Sequence, residues 1–151
     1  MIGVSTLLLA SVLGWQQRDP VPVAPVKRVT YECRPCFGSC PVYKVTINKD
    51  GTIDYHGIRF VDRIGHYKAT VARSKVNKLF DAIRWSNFWD MKDRYELPIT
   101  DMPTQILTAE SGRLCRTVEE YGDSGPEELH KLQERVETVV KAAKHWKKLK
   151  S

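Results

Sequence analysis

The chain has 151 residues, 42% of them hydrophobic and 28% charged, and a formal net charge of +6. The length suits one domain, and the ordinary apolar share predicts a real core rather than disorder. The positive balance admits an anionic partner, whether acidic protein, polysaccharide, lipid headgroup or nucleic acid, without choosing among them.

Residues 1–15 hold the uncharged run from Ile2 to Gly14. It is too short to span a bilayer and resembles the apolar region of a secretory signal peptide. No Lys or Arg precedes it, Val12-Leu13-Gly14 is its best small-residue cleavage pattern, and no cysteine follows where a lipoprotein anchor would need one. The expectation is export, periplasmic or secreted, with no transmembrane span in the mature protein. Residues 16–27, with Pro20, Pro22 and Pro25, read as an extended linker. That leaves 28–151 as a single domain.

Val29, Tyr31 and Cys33 alternate with polar neighbours, which predicts a first strand. The hairpin from Val42 to Gly57 is the clearest signal in the chain. Tyr43, Val45 and Ile47 share one face, and Ile53 and Tyr55 continue it beyond Asp50-Gly51. A two-residue turn would set Ile47 against Asp54. A three-residue loop, Lys49-Asp50-Gly51 with a left-handed glycine, pairs Ile47 with Ile53 and Val45 with Tyr55, and is the one predicted. Ile58 to Gly65 is a mixed connection, and Tyr67, Ala69 and Val71 make a third strand of the meander.

Val76, Leu79, Phe80 and Ile83 then fall on one helical stripe. Trp85, Phe88 and Trp89 follow as the expected rim of the core. Asp93 to Pro103 reads as a loop. Thr104–Glu110 and Arg113–Tyr121 read as a hairpin about Ser111-Gly112, whose register the pattern does not fix. Gly125-Pro126-Glu127-Glu128 opens a last helix, whose stripe runs through Leu129, Leu132, Val136, Val139, Ala143 and Trp146 into a lysine-rich end. The predicted fold is α+β: an antiparallel sheet of about five to six strands with two helices on one face.

Cys33, Cys36 and Cys40 lie in the turn after the first strand, and Cys115 lies in the late hairpin. A metal site would need these thiolates together, with Cys115 or a histidine as fourth ligand, but no second Cys-x-x-Cys pair follows at zinc-ribbon distance. A redox pair at Cys33 and Cys36 would want a helix N-terminus, and the turn leads into a strand instead. An even number of cysteines in an exported domain favours disulfides. Three connectivities are open. The preferred one joins Cys36 to Cys40 and Cys33 to Cys115.

No nucleophile elbow, zinc-protease helix, phosphate loop or dinucleotide fingerprint occurs. His56, His66 and Asp101 are the candidate binding residues and the only set for a hydrolytic or metal reading. The expectation is a non-catalytic exported binding domain without a cofactor. Its partner would be an envelope protein or an anionic surface ligand rather than a specific nucleic acid. A thiol-redox or metal-binding role for Cys33, Cys36, Cys40 and Cys115 is the alternative.

The run Pro35-Cys36-Phe37-Gly38-Ser39-Cys40-Pro41-Val42-Tyr43, then Asp50-Gly51-Thr52 and Tyr55-x-Gly57, resembles an uncharacterised exported bacterial family, a domain of unknown function. Gly65-His66-Tyr67, Thr100-Asp101-x-Pro103-Thr104 and Tyr121 extend the likeness over roughly Val29 to Trp146. The resemblance implies no catalytic residue. Its pattern includes Cys36 and Cys40 and does not call for Cys33 or Cys115, which implies that those two form an additional pair.

Overall fold

The computed structural model describes residues 24–150, so the predicted signal segment at 1–15 and most of the predicted linker at 16–27 lie outside the described residues. The linker's predicted end is corrected: Val26 and Lys27 already belong to the first strand, β1 (Val26–Cys33). Val26 is buried there, which draws the chain into the sheet.

The turn after β2 (Val42–Asn48) is built as its residue types require. The Asp50 carboxylate accepts from the Thr52 amide and hydroxyl, and Gly51 takes φ of +91°. A Cβ on Gly51 would meet the Val71 carbonyl at 2.5 Å, so the position suits glycine twice over. The loop sets Ile47 opposite Ile53 and Val45 opposite Tyr55 in β3 (Thr52–Arg59), the predicted register. β4 (Gly65–Thr70) completes the meander.

After α1 (Arg73–Arg84) and a short 3-10 turn come β5 (Arg94–Glu96), β6 (Thr104–Ser111), β7 (Leu114–Tyr121), α2 (Glu127–Lys141) and β8 (Lys144–Lys148). The strands form one sheet in the order β5-β7-β6-β1-β2-β3-β4-β8. Among the described residues it therefore has eight strands rather than five or six. It is also mixed rather than antiparallel, because β5 runs parallel to β7.

Both extra strands sit at the edges. β5 occupies part of the segment read as a loop, and its three residues are too few to carry an alternation. β8 replaces the last turns of the predicted second helix. The Ala143–Trp146 spacing fits a helical stripe, but the chain leaves the helix after Lys141, turns at Ala142, and pairs with β4. Trp146 still reaches the core by this route. Its ring meets Tyr55 and Tyr67 edge-on at 5.6 and 6.4 Å.

One core joins the sheet to both helices. Val76, Leu79, Phe80 and Ile83 of α1 and Leu129, Leu132, Val136 and Val139 of α2 are buried against Val29, Tyr31, Val45, Ile53 and Leu107. Each fully buried aliphatic side chain here contributes about 2 kcal/mol relative to exposure. In the aromatic group, Phe88 is fully buried and Trp85 stands in solvent. Neither helix covers the opposite face of the sheet, whose side chains are mostly polar.

Candidate functional site

The sheet register decides where every candidate residue falls. Cys33 pairs with Gln105 on β6, while Cys115 pairs with Glu110 on the same strand. Five residues of strand separate those levels, about 17 Å. Alternation also places Cys33 on the helix side and Cys115 on the open side. A disulfide needs Cα atoms within about 7 Å, so the predicted Cys33–Cys115 bridge is corrected: both are free thiols. Cys36 and Cys40 do lie at bonding distance, closing the Phe37-Gly38-Ser39 turn with Cα atoms 5.8 Å apart. The four cysteines thus form no common centre.

His56 and His66 face each other across β3 and β4, their rings stacked with centroids 3.8 Å apart. They lie on the open face beside Lys44. Asp101 is elsewhere. It sits before β6 in a left-handed conformation, φ 69°, and its carbonyl accepts from the Phe37 amide. From His56 the register runs through Lys44 and Glu32 to Ile106, three strand spacings or about 14 Å, before the chain even reaches the Asp101 loop. The two histidines come together and the aspartate does not join them.

The open face carries a regular row that escapes linear reading. Thr117, Thr108, Thr30 and Thr46 lie side by side on four neighbouring strands, and Asp54, Lys68 and Lys147 extend the row to β8. Hydroxyls pair at 3.1 Å between Thr30 and Thr46 and at 2.9 Å between Thr108 and Thr117. The signal was present only as single threonines in separate strands, at spacings that only the register aligns. Charges flank the row in compensated sets: Arg28 with Glu110, Lys44 with Glu32, Lys68 with Asp54. The middle of this face forms a shallow groove of about 480 Å³.

A second polar arrangement lies beneath α2, on the helix side. Glu120 has no exposed surface, yet its carboxylate is fully partnered. It accepts from the Gly125 amide at 2.7 Å and from Gln133 Nε2 at 2.9 Å, and pairs with His130 Nε2 at 2.5 Å. Next to it, the Tyr31 hydroxyl donates to Gln105 Oε1, and Gln105 in turn donates to Asp123 at 3.2 Å. Tyr31, Gln105, His130, Gln133 and Glu137 line a cleft of about 320 Å³. Burial pushes the Cys33 thiol and the Tyr31 and Tyr43 hydroxyls upward from their ordinary values. For Cys33 the neighbouring tyrosine hydroxyls pull the other way and are outweighed. A thiol held protonated in this way is a poor nucleophile near neutral pH.

Comparison with protein families covers most of this framework. A family model matches residues 27–140, from β1 to the end of α2. The chain belongs to that family, described as a domain of unknown function, DUF6438. The DUF6438 span takes in the disulfide turn, the threonine row on β1, β2, β6 and β7, and the Glu120 network, while β8 lies beyond it. No curated protein matches the chain.

Proposed function

We propose that this DUF6438 domain is a non-catalytic, exported binding module that takes a protein or envelope ligand on the open face of its sheet. The observation that supports the reading is the asymmetry of the sheet. Its helix side is occupied by an apolar core, interrupted at the Glu120 network, while the other side presents paired threonine hydroxyls and stacked histidines across adjacent strands with nothing among the described residues packed on them. Rows of hydroxyls about 4.8 Å apart offer both donors and acceptors at the spacing of the strands. Such a surface suits a polar, extended ligand better than a compact apolar one. The compensated ion pairs around it would set orientation more than affinity.

The test is a pull-down from envelope extract with the mature chain, alongside a variant carrying Thr30→Arg and Thr46→Arg. Saturable capture of one component by the wild-type protein, lost in the variant with its melting temperature preserved, is the expected result. Absence of any saturable partner, or equal capture by both proteins, refutes the open-face reading.

A further inference from the structure

Following each strand to its end shows where the exposed apolar side chains collect. Of the nine large ones among the described residues, seven leave from the same end of the sheet, the end where β1, β3, β7 and β8 finish. The disulfide turn after β1 carries Phe37, 87% exposed. Ile58 at the end of β3 and Phe60 and Ile64 in the β3–β4 connection are each about half exposed, and Leu149 follows β8, where its amide bonds the His66 carbonyl. Leu97 and Ile99 lie in the β5–β6 loop, beside the acids Glu96 and Asp101.

Charge divides this end into two parts. Arg59 and Arg63 flank the β3–β4 connection and Lys147, Lys148 and Lys150 lie at the end of β8, while Asp62 is the acid within the connection and Asp54 lies near Leu149. These cations are held among aromatic rings. The Arg63 guanidinium lies 4.3 Å from the Trp146 ring centre, that of Arg59 lies 5.2 Å from Phe60, and the Lys148 ammonium lies 5.8 Å from Tyr67. The connection itself is clamped to the sheet, since a Cβ on Gly57 would fall 1.7 Å from the Arg63 carbonyl oxygen. Phe37 is fixed in the same way by its disulfide-closed turn.

We propose that this corner, formed by the β3–β4 connection, the end of β8 and the Phe37 turn, docks onto an anionic lipid surface. Apolar side chains at the boundary of headgroups and acyl chains leave water, while arginine and lysine remain at headgroup level. A hydrated soluble polyanion would satisfy the cations and leave Ile58, Phe60, Ile64 and Leu149 in water. The combination therefore favours a bilayer over a nucleic acid or polysaccharide. Because the clamped connection and the closed turn are already shaped, docking would order little additional chain. The corner shares Lys147 with the extension of the threonine row and Leu149 with the lining beside the two histidines, whereas Phe60 and Ile64 belong to neither, so the Phe60→Ser/Ile64→Ser variant tests this inference apart from the open-face reading.

The experiment is co-sedimentation of the full chain with vesicles of phosphatidylcholine alone and of an equal mixture with phosphatidylglycerol. Three variants accompany it: Phe60→Ser/Ile64→Ser, Lys147→Gln/Lys148→Gln/Lys150→Gln, and Leu114→Ser at the opposite end of the sheet. All six positions are solvent-exposed, and circular dichroism melts verify that the variants fold. Residues 1–15 are common to every protein, so their contribution cancels in the ratio to wild type. The expected result is preference for the anionic vesicles, weakened about tenfold or more by each of the first two variants and untouched by Leu114→Ser. Loss in the lysine variant alone overturns the proposal in favour of a soluble polyanion. Equal binding by all proteins, or equal loss in Leu114→Ser, overturns it outright.

Discussion

Replacing Glu120 by alanine tests whether the buried carboxylate holds the end of β7 to α2. The side chain is fully buried and accepts from three groups on two segments: the Gly125 amide in the connection, and His130 and Gln133 on the helix. In Glu120→Ala, Gln133, which is 5% exposed, keeps its donor in a site without an acceptor, as does the Gly125 amide. His130 is one-third exposed at its side chain and can turn to water. The stranded buried donor of Gln133 and the half-buried Gly125 amide cost about 1–3 kcal/mol each, Gly125 at the low end, and the vacated volume adds to that. The expected destabilisation is about 4 kcal/mol, within the range for removing one member of a buried charged network. With a urea m-value of about 2 kcal/mol per molar, the midpoint falls by about 2 M. Glu120→Gln keeps the shape and one carbonyl acceptor, and Gln133 can reverse its amide to meet the new donor. Its cost should be about half as large. Tryptophan fluorescence with far-ultraviolet circular dichroism follows both transitions. A Glu120→Ala midpoint within about 0.3 M of wild type, the scale of an ordinary surface substitution, refutes the reasoning.

Intact mass with and without reductant should differ by about two units, the mark of one disulfide, and alkylation of the folded chain should label Cys115 quickly and Cys33 slowly. Because burial raises the Cys33 thiol, its labelling should stay slow near neutral pH and increase as pH climbs; equal rates for the exposed and the half-buried cysteine would contradict the placement. Gly57→Ala should destabilise by more than about 2 kcal/mol in the same urea assay, since the new Cβ meets backbone at the Arg63 carbonyl rather than a movable side chain. Ending the chain after Ala143 removes β8 and uncovers the β4 edge, so light scattering should report concentration-dependent association on warming. A truncated chain as monodisperse as the full one would show that β8 does not protect that edge.

The parts of the fold that could be read in advance were those where one local rule decides. In the β2–β3 hairpin, only the three-residue loop keeps Ile47 and Ile53 on the same side as Val45 and Tyr55, and the chain adopts it. The α1 stripe was equally legible, because its four apolar positions match a helix and no strand period. The β6–β7 register was not. Alternation there is broken by Ile106, which lies on the open face and is nevertheless buried, and by Glu120, which points into the helix side. A buried glutamate looks like a surface residue until Gln133 and His130 are brought to it from another element. β8 failed for a different reason: helical spacing and a strand that carries Trp146 back to Tyr55 and Tyr67 place the same residues inward.

The candidate surfaces were less legible because each is a product of pairing between distant strands. Thr30, Thr46, Thr108 and Thr117 span 87 positions of sequence and become one row only through three separate registers. The cysteines illustrate the converse. An even number of cysteines and the expectation of export argue for two bridges, an argument that contains no geometry, whereas the Cys36–Cys40 turn is local enough for chain length to bring its ends together. The register then sets Cys33 and Cys115 on opposite faces and five levels apart, which no side-chain rearrangement can bridge. The local closure is also what fixes Phe37 in its turn, 87% exposed, where a purely structural staple would have no use for a phenylalanine. Hydrophobic side chains held outward by a covalent clamp, next to a hairpin clamped by Gly57, are costly in water unless something else covers them.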